Sequence, residues 1–522
     1  MRRLYSLLLI ISMLLAGTPE LAGDWTARAV AGTLNQSATA GDPVVPNYPA
    51  LPASDGSAGA EAEVTAQATP SYSGNSGMNP YTSLYQGRER DEVFIADTDN
   101  ELDQYLFVNS SPLTFRLPIT RHYGEVDGSG YLKNASTMIS KGIISDKALL
   151  FIRVFDVDND YQGGEAAPER DILKINGRVL YPALTSGNNT WSTLTYRVPV
   201  TYLKFPAPGA LGQAPTPAQN DIAIDIDTSN GGRTVWAIEV DWAGLVLPGV
   251  RPAALVNGFL GNAGTWDNFS QLLANDGLVS EPVEVDAYSG IGTNAGILLR
   301  ELPRVKQKYG VERLNIIAHS KGGLDSRAYL RQRRDIDTLV QLGTPNRGSD
   351  CANVLAGYLS AATRNLRPDW MARNFNNRTP EQGAAPLYTL IGTAYSNRFC
   401  GYFIGRVNVR LDPPHDGFVS ADRATLPWRW SGVDNDGLDQ GNVDGYIPVD
   451  HETLHERQSV ADLAVKWLRA NTGMSSMAMS AATGATSTAA MTADSSANSS
   501  TQAEPTPDPA PTFIDAIVGK LA

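Results

Sequence analysis

"LNIIAHSKGGLDSRAYL", residues 314–330, is the stretch of sequence that decides the fold. An apolar run leads to Ser320, Gly322 and Gly323 follow, and the pattern then changes to helical spacing. Small-x-Ser-x-Gly is typical of a sharp strand-to-helix turn that holds a serine nucleophile above a parallel sheet. Ala318 and Gly322 have to be small, because the residues two before and two after the serine crowd each other. We therefore predict a nucleophile at Ser320.

The sequence around this stretch alternates between strand-like and helix-like patterns. "AALVNGFLG" (253–261) is an apolar run that enters a glycine turn, and "NAGILLRELPRVKQKYG" (294–310) has helical spacing. "DTLVQLGTP" (337–345) has a strand pattern again, and "SVADLAVKWL" (459–468) has the apolar face of a last helix. This alternation predicts a mostly parallel sheet with helices on both faces, over residues 250–470.

The preceding part of the chain has short strand-like runs without a long helical period. Examples are "ALLFIRVFDVD" (148–158), "STLTYRVPV" (192–200) and "VWAIEVDWAG" (235–244). We therefore predict an antiparallel β-sandwich domain before the α/β domain. The predicted organisation is a signal peptide (1–29), a low-complexity linker (30–90), the β-sandwich (91–247), the α/β domain (250–470) and a disordered low-complexity tail (471–522).

Charge and leader sequence limit the possible partners and locations. The 522 residues have a formal net charge of -13 and a pI of about 5.0, which argues against nucleic acid as a partner. "MRRLYSLLLIISMLLAG" (1–17) has two arginines, a short apolar run and small residues, as a secretory signal does. We predict a secreted or cell-surface protein with no transmembrane span after signal cleavage, and no organic cofactor.

A serine nucleophile needs a general base, and "VDHETLHERQSV" (449–460) offers two candidates among the five histidines of the chain. In the chain order Ser, acid, His that accompanies this type of turn, the base comes last. We favour His451, because it lies in the predicted loop before the closing helix. His455 remains the alternative, although it lies where that helix is predicted to begin.

The base in turn needs an orienting carboxylate. Asp416 in "PPHDGFVSAD" (413–422) is our candidate, since the following glycine permits a tight turn and the next residues return to the core. Asp412 and Asp422 are the alternatives, and for any of them a solvated loop carboxylate is the ordinary role.

The oxyanion that forms during acyl transfer needs two backbone N–H groups. Gly258 lets the chain turn so that the N–H of Phe259 faces the site, and the N–H of Lys321 is the second donor. The side chains at both positions are free to vary, because only the backbone acts.

Acidic clusters raise the possibility of structural calcium, for which loops rich in carboxylate oxygens are suited. "FDVDNDYQGGEAAPERD" (155–171) does not have the spacing of an EF-hand, and an acidic turn between strands is an equal alternative. "VDNDGLDQGNVDG" (433–445) is a second acidic stretch, for which we favour a surface loop. The candidate calcium ligands of the first stretch are Asp156, Asp158, Asp160, Glu169 and Asp171.

Over residues 253–468 the chain resembles secreted bacterial lipases of the α/β-hydrolase fold. The resemblance rests on "VNGFLGNAGTW", "LNIIAHSKGGLDSRAYL", "LVQLGTPNRGSDCANVL", "HDGFV" and "DHETL". It implies a Ser320–Asp416–His451 triad and a lid over an apolar pocket in residues 351–379. It also implies a disulfide between the two cysteines, Cys351 and Cys400, which an exported protein would favour in any case.

Two positions depart from the family's pattern. Asn257 precedes Gly258 where the family usually has histidine, so a hydrogen bond made by that histidine is replaced or lost. Thr453 stands where relatives with calcium near the active site often have aspartate, so we do not expect that metal here.

The expected function is a serine carboxylic-ester hydrolase, a lipase or esterase, acting on lipid or polymer esters without a cofactor for catalysis. Two alternatives to this function are open. One is a surface-associated binding or adhesion protein with an inactive hydrolase domain, and the other is an acyltransferase that uses the same triad.

Overall fold

The computed structural model describes residues 84–96, 104–108, 112–155, 170–181, 191–226, 228, 236–355, 360–378, 380–395, 411–429 and 443–472. The predicted signal peptide, most of the linker and nearly all of the tail lie outside these residues. The same holds for Cys400, for Asp156 to Glu169 and for most of the second acidic stretch. Those predictions remain predictions.

The described residues form fifteen strands and nine α-helices, together with short 3₁₀ segments. The strands are β1 (Val93–Ile95), β2 (Gln104–Val108), β3 (Leu113–Ile119), β4 (Lys147–Phe155), β5 (Ile172–Ile175), β6 (Arg178–Tyr181), β7 (Trp191–Pro199), β8 (Ala218–Asp225), β9 (Trp236–Val246), β10 (Ala253–Val256), β11 (Ser280–Val283), β12 (Leu314–His319), β13 (Ile336–Leu342), β14 (Leu387–Gly392) and β15 (Gly445–Ile447). The α-helices are α1 (Ala135–Ser140), α2 (Asp267–Asn275), α3 (Ile291–Tyr309), α4 (Lys321–Leu330), α5 (Ala352–Leu355), α6 (Ala361–Asn365), α7 (Pro368–Trp370), α8 (Ala421–Ala424) and α9 (Gln458–Ala470).

Strands β10 to β15 form one sheet in the order β11-β10-β12-β13-β14-β15, and all neighbouring pairs are parallel. Strand β12 lies inside this sheet, and all its residues are buried. An inner strand of a parallel sheet is covered on both faces, which explains why the centre of "LNIIAH" is a continuous apolar run, Ile316 to Ala318, that does not alternate.

Helices cover both faces of the parallel sheet. Ala253 and Leu255 of β10 pack in one hydrophobic cluster with residues of α2 and α9. Ala254 and Val256 pack in a second cluster with residues of α3 and α4. Because successive side chains of a strand point to opposite faces, these two clusters lie on opposite sides. The predicted α/β-hydrolase architecture is confirmed.

Two antiparallel sheets precede this domain. One has the order β1-β9-β4-β7 with β2 also paired to β9, and the other has the order β3-β8-β5-β6. Strand β4 alternates in burial, as a strand with one buried face does. Ile152, Leu173 and Ile222, from both sheets, pack in the same hydrophobic cluster. The antiparallel sheets predicted for this part are confirmed, and the short helix α1 lies between β3 and β4.

That cluster continues into the α/β domain, where it includes Phe269 of α2 and Leu468 of α9. The two parts also meet at the end of α3. Gly310 ends this helix with a φ of +64°, and a β-carbon there would overlap the carbonyl oxygen of Thr120. No helix within the described ranges is long and apolar enough to cross a membrane.

Candidate active site

The turn between β12 and α4 has the conformation of a nucleophile elbow. Ser320 has a φ of +52° and a ψ of −127°, and it is 2% exposed. A non-glycine residue with positive φ stores backbone strain, which tertiary packing has to hold in place. A β-carbon at Gly322 would lie 2.5 Å from the carbonyl oxygen of Asn257, and one at Gly323 would overlap Thr344. These contacts explain the small residues that the sequence places after the serine.

Three predicted residues come together at this turn. The Oγ of Ser320 is 2.9 Å from Nε2 of His451, and Nδ1 of His451 is 2.6 Å from Oδ2 of Asp416. All three side chains are buried. The carboxylate accepts from Nδ1–H, so Nε2 is left without a proton and is able to accept one from the serine hydroxyl.

Asp416 is held in one orientation by backbone hydrogen bonds. Its Oδ1 accepts hydrogen bonds from the backbone N–H of Phe418 at 2.9 Å and of Val419 at 2.7 Å, while Oδ2 faces the histidine. Gly417 has a φ of +101°, which the predicted tight turn requires. Of the alternatives, Asp422 accepts from the hydroxyl of Ser420 and does not contact His451.

The other two histidines near the base have supporting positions. His319 faces the backbone of His451, with Nε2 2.8 Å from the carbonyl oxygen, so the Nε2–H has to be the donor. Its ring centroid is 4.8 Å from that of His451 and 4.9 Å from that of His455. Burial lowers the pKa of His319 well below its usual value and lowers that of His455 to about 4, and His451 contributes in both cases. Neither histidine contacts Ser320 through a hydrogen bond in the described part of the chain.

The predicted oxyanion turn lies against the nucleophile. A β-carbon at Gly258 would be 2.7 Å from Cβ of Ser320 and 3.3 Å from the backbone nitrogen of Lys321. Only glycine therefore lets the chain pass so close to the serine. Within the described ranges, the N–H groups of Phe259 and Lys321 have no backbone acceptor, as donors reserved for a ligand would.

Asn257 replaces the histidine of the resembling family with several hydrogen bonds of its own. Its Nδ2 donates to the carbonyl oxygens of Gly261 at 3.0 Å and Val285 at 3.1 Å, and its Oδ1 accepts from the N–H of Val285 at 2.9 Å. The side chain is fully buried. It thus ties the oxyanion turn to the segment after β11, a role that "VNG" alone does not reveal.

An apolar cluster borders the triad on the side of the predicted lid. Phe418 packs with its ring centroid 5.2 Å from that of His451. The cluster contains buried side chains of α3, α4 and the predicted lid segment, with Phe259 and Tyr446 packed against it. The described part of residues 351–379 forms α5, α6, α7 and a π-helical turn over Met371–Phe375. The buried members of the cluster include Ile291, Leu324, Leu366, Met371, Phe375 and Val419.

Most residues of the predicted calcium sites, and one of the two predicted disulfide cysteines, lie outside the described residues. Of the candidate calcium ligands only Asp171 is described, and it is fully buried. No group of three or more metal-binding side chains occurs in the described ranges. In the second acidic stretch, Asp444 pairs with Arg429 at 2.9 Å. Cys351 is buried, and its predicted partner lies outside the described residues.

Comparisons with known proteins follow the fold. No family model matches the chain, and no curated protein matches it. Among solved structures, it is similar to Bacillus licheniformis lipase BlEst2 in mature form, with 19% identity over 42% of this chain and 91% of that one, and a TM-score of 0.34. It is also similar to the metagenomic carboxyl esterase MGS0156, with 16% identity over 42% of this chain and 75% of that one, and a TM-score of 0.32. Lipase 1 from Pelosinus fermentans is 15% identical over 42% of this chain and 98% of that one, with a TM-score of 0.28. The chemistry has to be argued from the site itself.

Proposed function

We propose that the chain is a serine carboxylic-ester hydrolase that works through an acyl-enzyme. The observation that carries this proposal is the continuous hydrogen-bonded series from the Oγ of Ser320 through His451 to Asp416, at 2.9 Å and 2.6 Å. A buried serine in a strained turn, with its hydroxyl hydrogen-bonded to a histidine that can act as a base, is the arrangement that nucleophilic catalysis needs.

The reaction follows from this arrangement. Nε2 of His451 takes the hydroxyl proton while the Oγ of Ser320 attacks the ester carbonyl carbon. The oxyanion accepts hydrogen bonds from the N–H groups of Phe259 and Lys321. The tetrahedral intermediate expels the alcohol, which receives the proton from His451, and leaves an acyl group on the serine. Water, deprotonated by the same histidine, then releases the carboxylic acid and restores the serine. Asp416 stays ionised throughout and stabilises the imidazolium.

The surroundings favour an ester with an apolar acyl chain. Phe418, Phe259 and Leu324 belong to or pack against the apolar cluster beside the triad, and apolar walls exclude water from an acyl chain. The similar structures are named as a lipase and a carboxyl esterase, both of them ester hydrolases. The amino-terminal pattern supports secretion of the enzyme.

The test uses a fluorophosphonate probe and a series of p-nitrophenyl esters of increasing acyl length. We expect labelling at Ser320, located by peptide mass spectrometry, and turnover that both Ser320→Ala and His451→Ala reduce by about 10⁴-fold or more. His455→Gln is the matched control and should keep most of the activity, because His455 does not contact the serine. A folded protein whose Ser320 is not labelled would contradict the proposal and favour a binding protein with an inactive site.

A further inference from the structure

A buried ion pair lies directly behind the nucleophile. Nζ of Lys321 is 2.9 Å from both Oδ1 and Oδ2 of Asp325, one turn further along α4. The Lys321 side chain is 1% exposed and that of Asp325 is 0% exposed. Taking two charges out of water costs several kcal/mol per ion, so a pair of this kind contributes little to stability compared with apolar residues. A contribution to stability therefore does not by itself explain why this pair is buried here.

Asn294 of α3 connects this pair to the segment that follows β11. Its Nδ2 donates to Oδ2 of Asp325 at 2.8 Å and to the carbonyl oxygen of Asp286 at 2.9 Å. Asn294 is fully buried. One amide group thus holds the elbow helix α4 and residues 285–289 at a defined separation.

Residues 285–289 in turn contact the oxyanion turn at two points. The ring of Tyr288 packs edge-on against that of Phe259, with 5.8 Å between centroids, and the N–H of Tyr288 donates to Oδ1 of Asp286 at 2.9 Å. Val285 exchanges hydrogen bonds with Asn257, the residue before Gly258. The contacts form a continuous path from Lys321, whose backbone N–H is one oxyanion donor, to Phe259, whose backbone N–H is the other.

From this path we infer that Lys321, Asp325 and Asn294 are positioning residues that set the separation of the two oxyanion donors. The inference rests on the proposed ester hydrolase function and adds side chains to it that do not touch the substrate. Donors of an oxyanion hole act on the charge that develops in the transition state, and small displacements weaken them. Loss of the path should therefore lower kcat and leave KM nearly unchanged, since the ground state of the ester does not need these donors.

Two variants of the full-length protein interrupt the path at different points. Lys321→Met removes the cation, after which Asp325 can take up a proton, because burial already raises its pKa to about 6 against the opposing effect of Lys321. Asn294→Leu removes the link without changing any charge and so serves where the first variant folds poorly. Lys306→Met is the matched control. Lys306 pairs with Asp335 at 2.6 Å, its side chain is 10% exposed, and it lies twelve residues after Asn294 on α3.

We expect both path variants to lower kcat about tenfold to a hundredfold, less than removal of a donor itself, with KM within about threefold of the wild type. The rate of fluorophosphonate labelling should fall in parallel, because the phosphonyl oxygen of the probe occupies the same position as the oxyanion of the ester. Lys306→Met should lower the melting temperature but keep kcat. A folded Asn294→Leu protein with kcat within twofold of the wild type would overturn the inference, as would an equal loss of kcat in Lys306→Met. Failure of the proposed function is distinct, because then the wild type itself neither hydrolyses esters nor reacts with the probe.

Discussion

At the scale of single residues, Gly343 lies directly against the hydrogen bond between Asp416 and His451. It follows β13 with a φ of +60°. A β-carbon there would lie 3.0 Å from Oδ2 of Asp416, 3.0 Å from Nδ1 of His451 and 2.8 Å from a methyl group of Leu454. The missing side chain thus leaves room for the hydrogen bond between acid and base.

Gly343→Ala should therefore impair catalysis by pushing Asp416 and His451 apart. We expect kcat for a short p-nitrophenyl ester to fall by about 10²-fold or more, since a misplaced group near the reacting atoms is costly. Gly292→Ala is the control, because a β-carbon at this exposed position of α3 would meet nothing within 4 Å. That change should keep kcat and leave stability equal or about 0.5–1 kcal/mol higher. Equal activity of the two variants would contradict the prediction.

Because His455 is buried, we expect the free energy of unfolding to depend on pH. Burial lowers its pKa in the folded state to about 4, with a further contribution from His451, while the unfolded value is near 6.5. As the pH falls, the unfolded chain binds the proton first. The free energy of unfolding is therefore unaffected by titration of His455 above about pH 6.5. It decreases by up to about 3 kcal/mol as the pH falls to about 4.

Urea unfolding at pH 7 and pH 4.5 measures this loss in the wild type and in His455→Gln. Glutamine does not titrate, so the variant should lose less stability between the two pH values than the wild type does. Part of the loss should remain, because burial also lowers the pKa of His319. An identical loss in both proteins would show that His455 does not contribute.

At the scale of elements, buried charges hold the end of the predicted lid segment, and Glu381 just after it, against the elbow helix. Arg327 of α4 donates to Oε1 of Glu381 from Nε at 3.0 Å and from Nη2 at 2.6 Å, and Arg331 donates to Oε2 at 2.9 Å. The guanidinium carbons lie 4.9 Å and 4.0 Å from the ring centroid of Phe375. Arg327 and Glu381 are 0% exposed. This end of the segment is thereby attached to the helix that begins at the nucleophile.

Glu381→Gln should destabilise the protein by about 3–5 kcal/mol, because it leaves the Arg327 guanidinium buried without a compensating charge. The free energy of unfolding in urea measures the effect. Glu125→Gln is the control, since Glu125 pairs with Lys133 at side-chain exposures of 72% and 48%. Its loss should stay within about 0.5 kcal/mol. Similar losses for the two variants would contradict a structural role for the Arg327 pair.

At the scale of the whole molecule, the antiparallel sheets and the parallel sheet share one core. All described residues lie in one compact unit, 75–522. Arg251, between the two parts, donates to Asp91 before β1 at 2.9 Å and to Asp337 of β13 at 2.6 Å. Arg121 donates to the carbonyl oxygens of Gly249 at 3.1 Å and Val250 at 2.9 Å. Both apolar and ionic contacts therefore cross the predicted domain boundary.

Because of these shared contacts, we expect the two parts to unfold together. Calorimetry should give a single transition whose calorimetric enthalpy equals the van't Hoff enthalpy. Arg251→Met should shift that whole transition to lower temperature, since Asp91 then stays buried without this partner. Two separate transitions, of which Arg251→Met lowers only one, would show that the parts fold independently.

The sequence predicted the elements of the site better than the contacts that support it. Local patterns placed a strand before Ser320 and a helix after it, and chain order singled out His451 and Asp416, which the fold brings within hydrogen-bond distance of one another. Their roles stay predictions until they are tested. The supporting side chain of Lys321 was missed, because its burial depends on helix α3, and no pattern near "HSKGG" reports that neighbour.

By itself, the sequence determined the alternation of strands and helices, the antiparallel strands of the preceding part and the small residues at the elbow. These properties follow from interactions between residues a few positions apart, which periodicity and side-chain size record. Only the tertiary structure decided that Asn257 binds Val285, that Gly343 leaves room for the triad and that one core joins the two parts. Such contacts join residues far apart in the chain, so they exist only once the chain has packed.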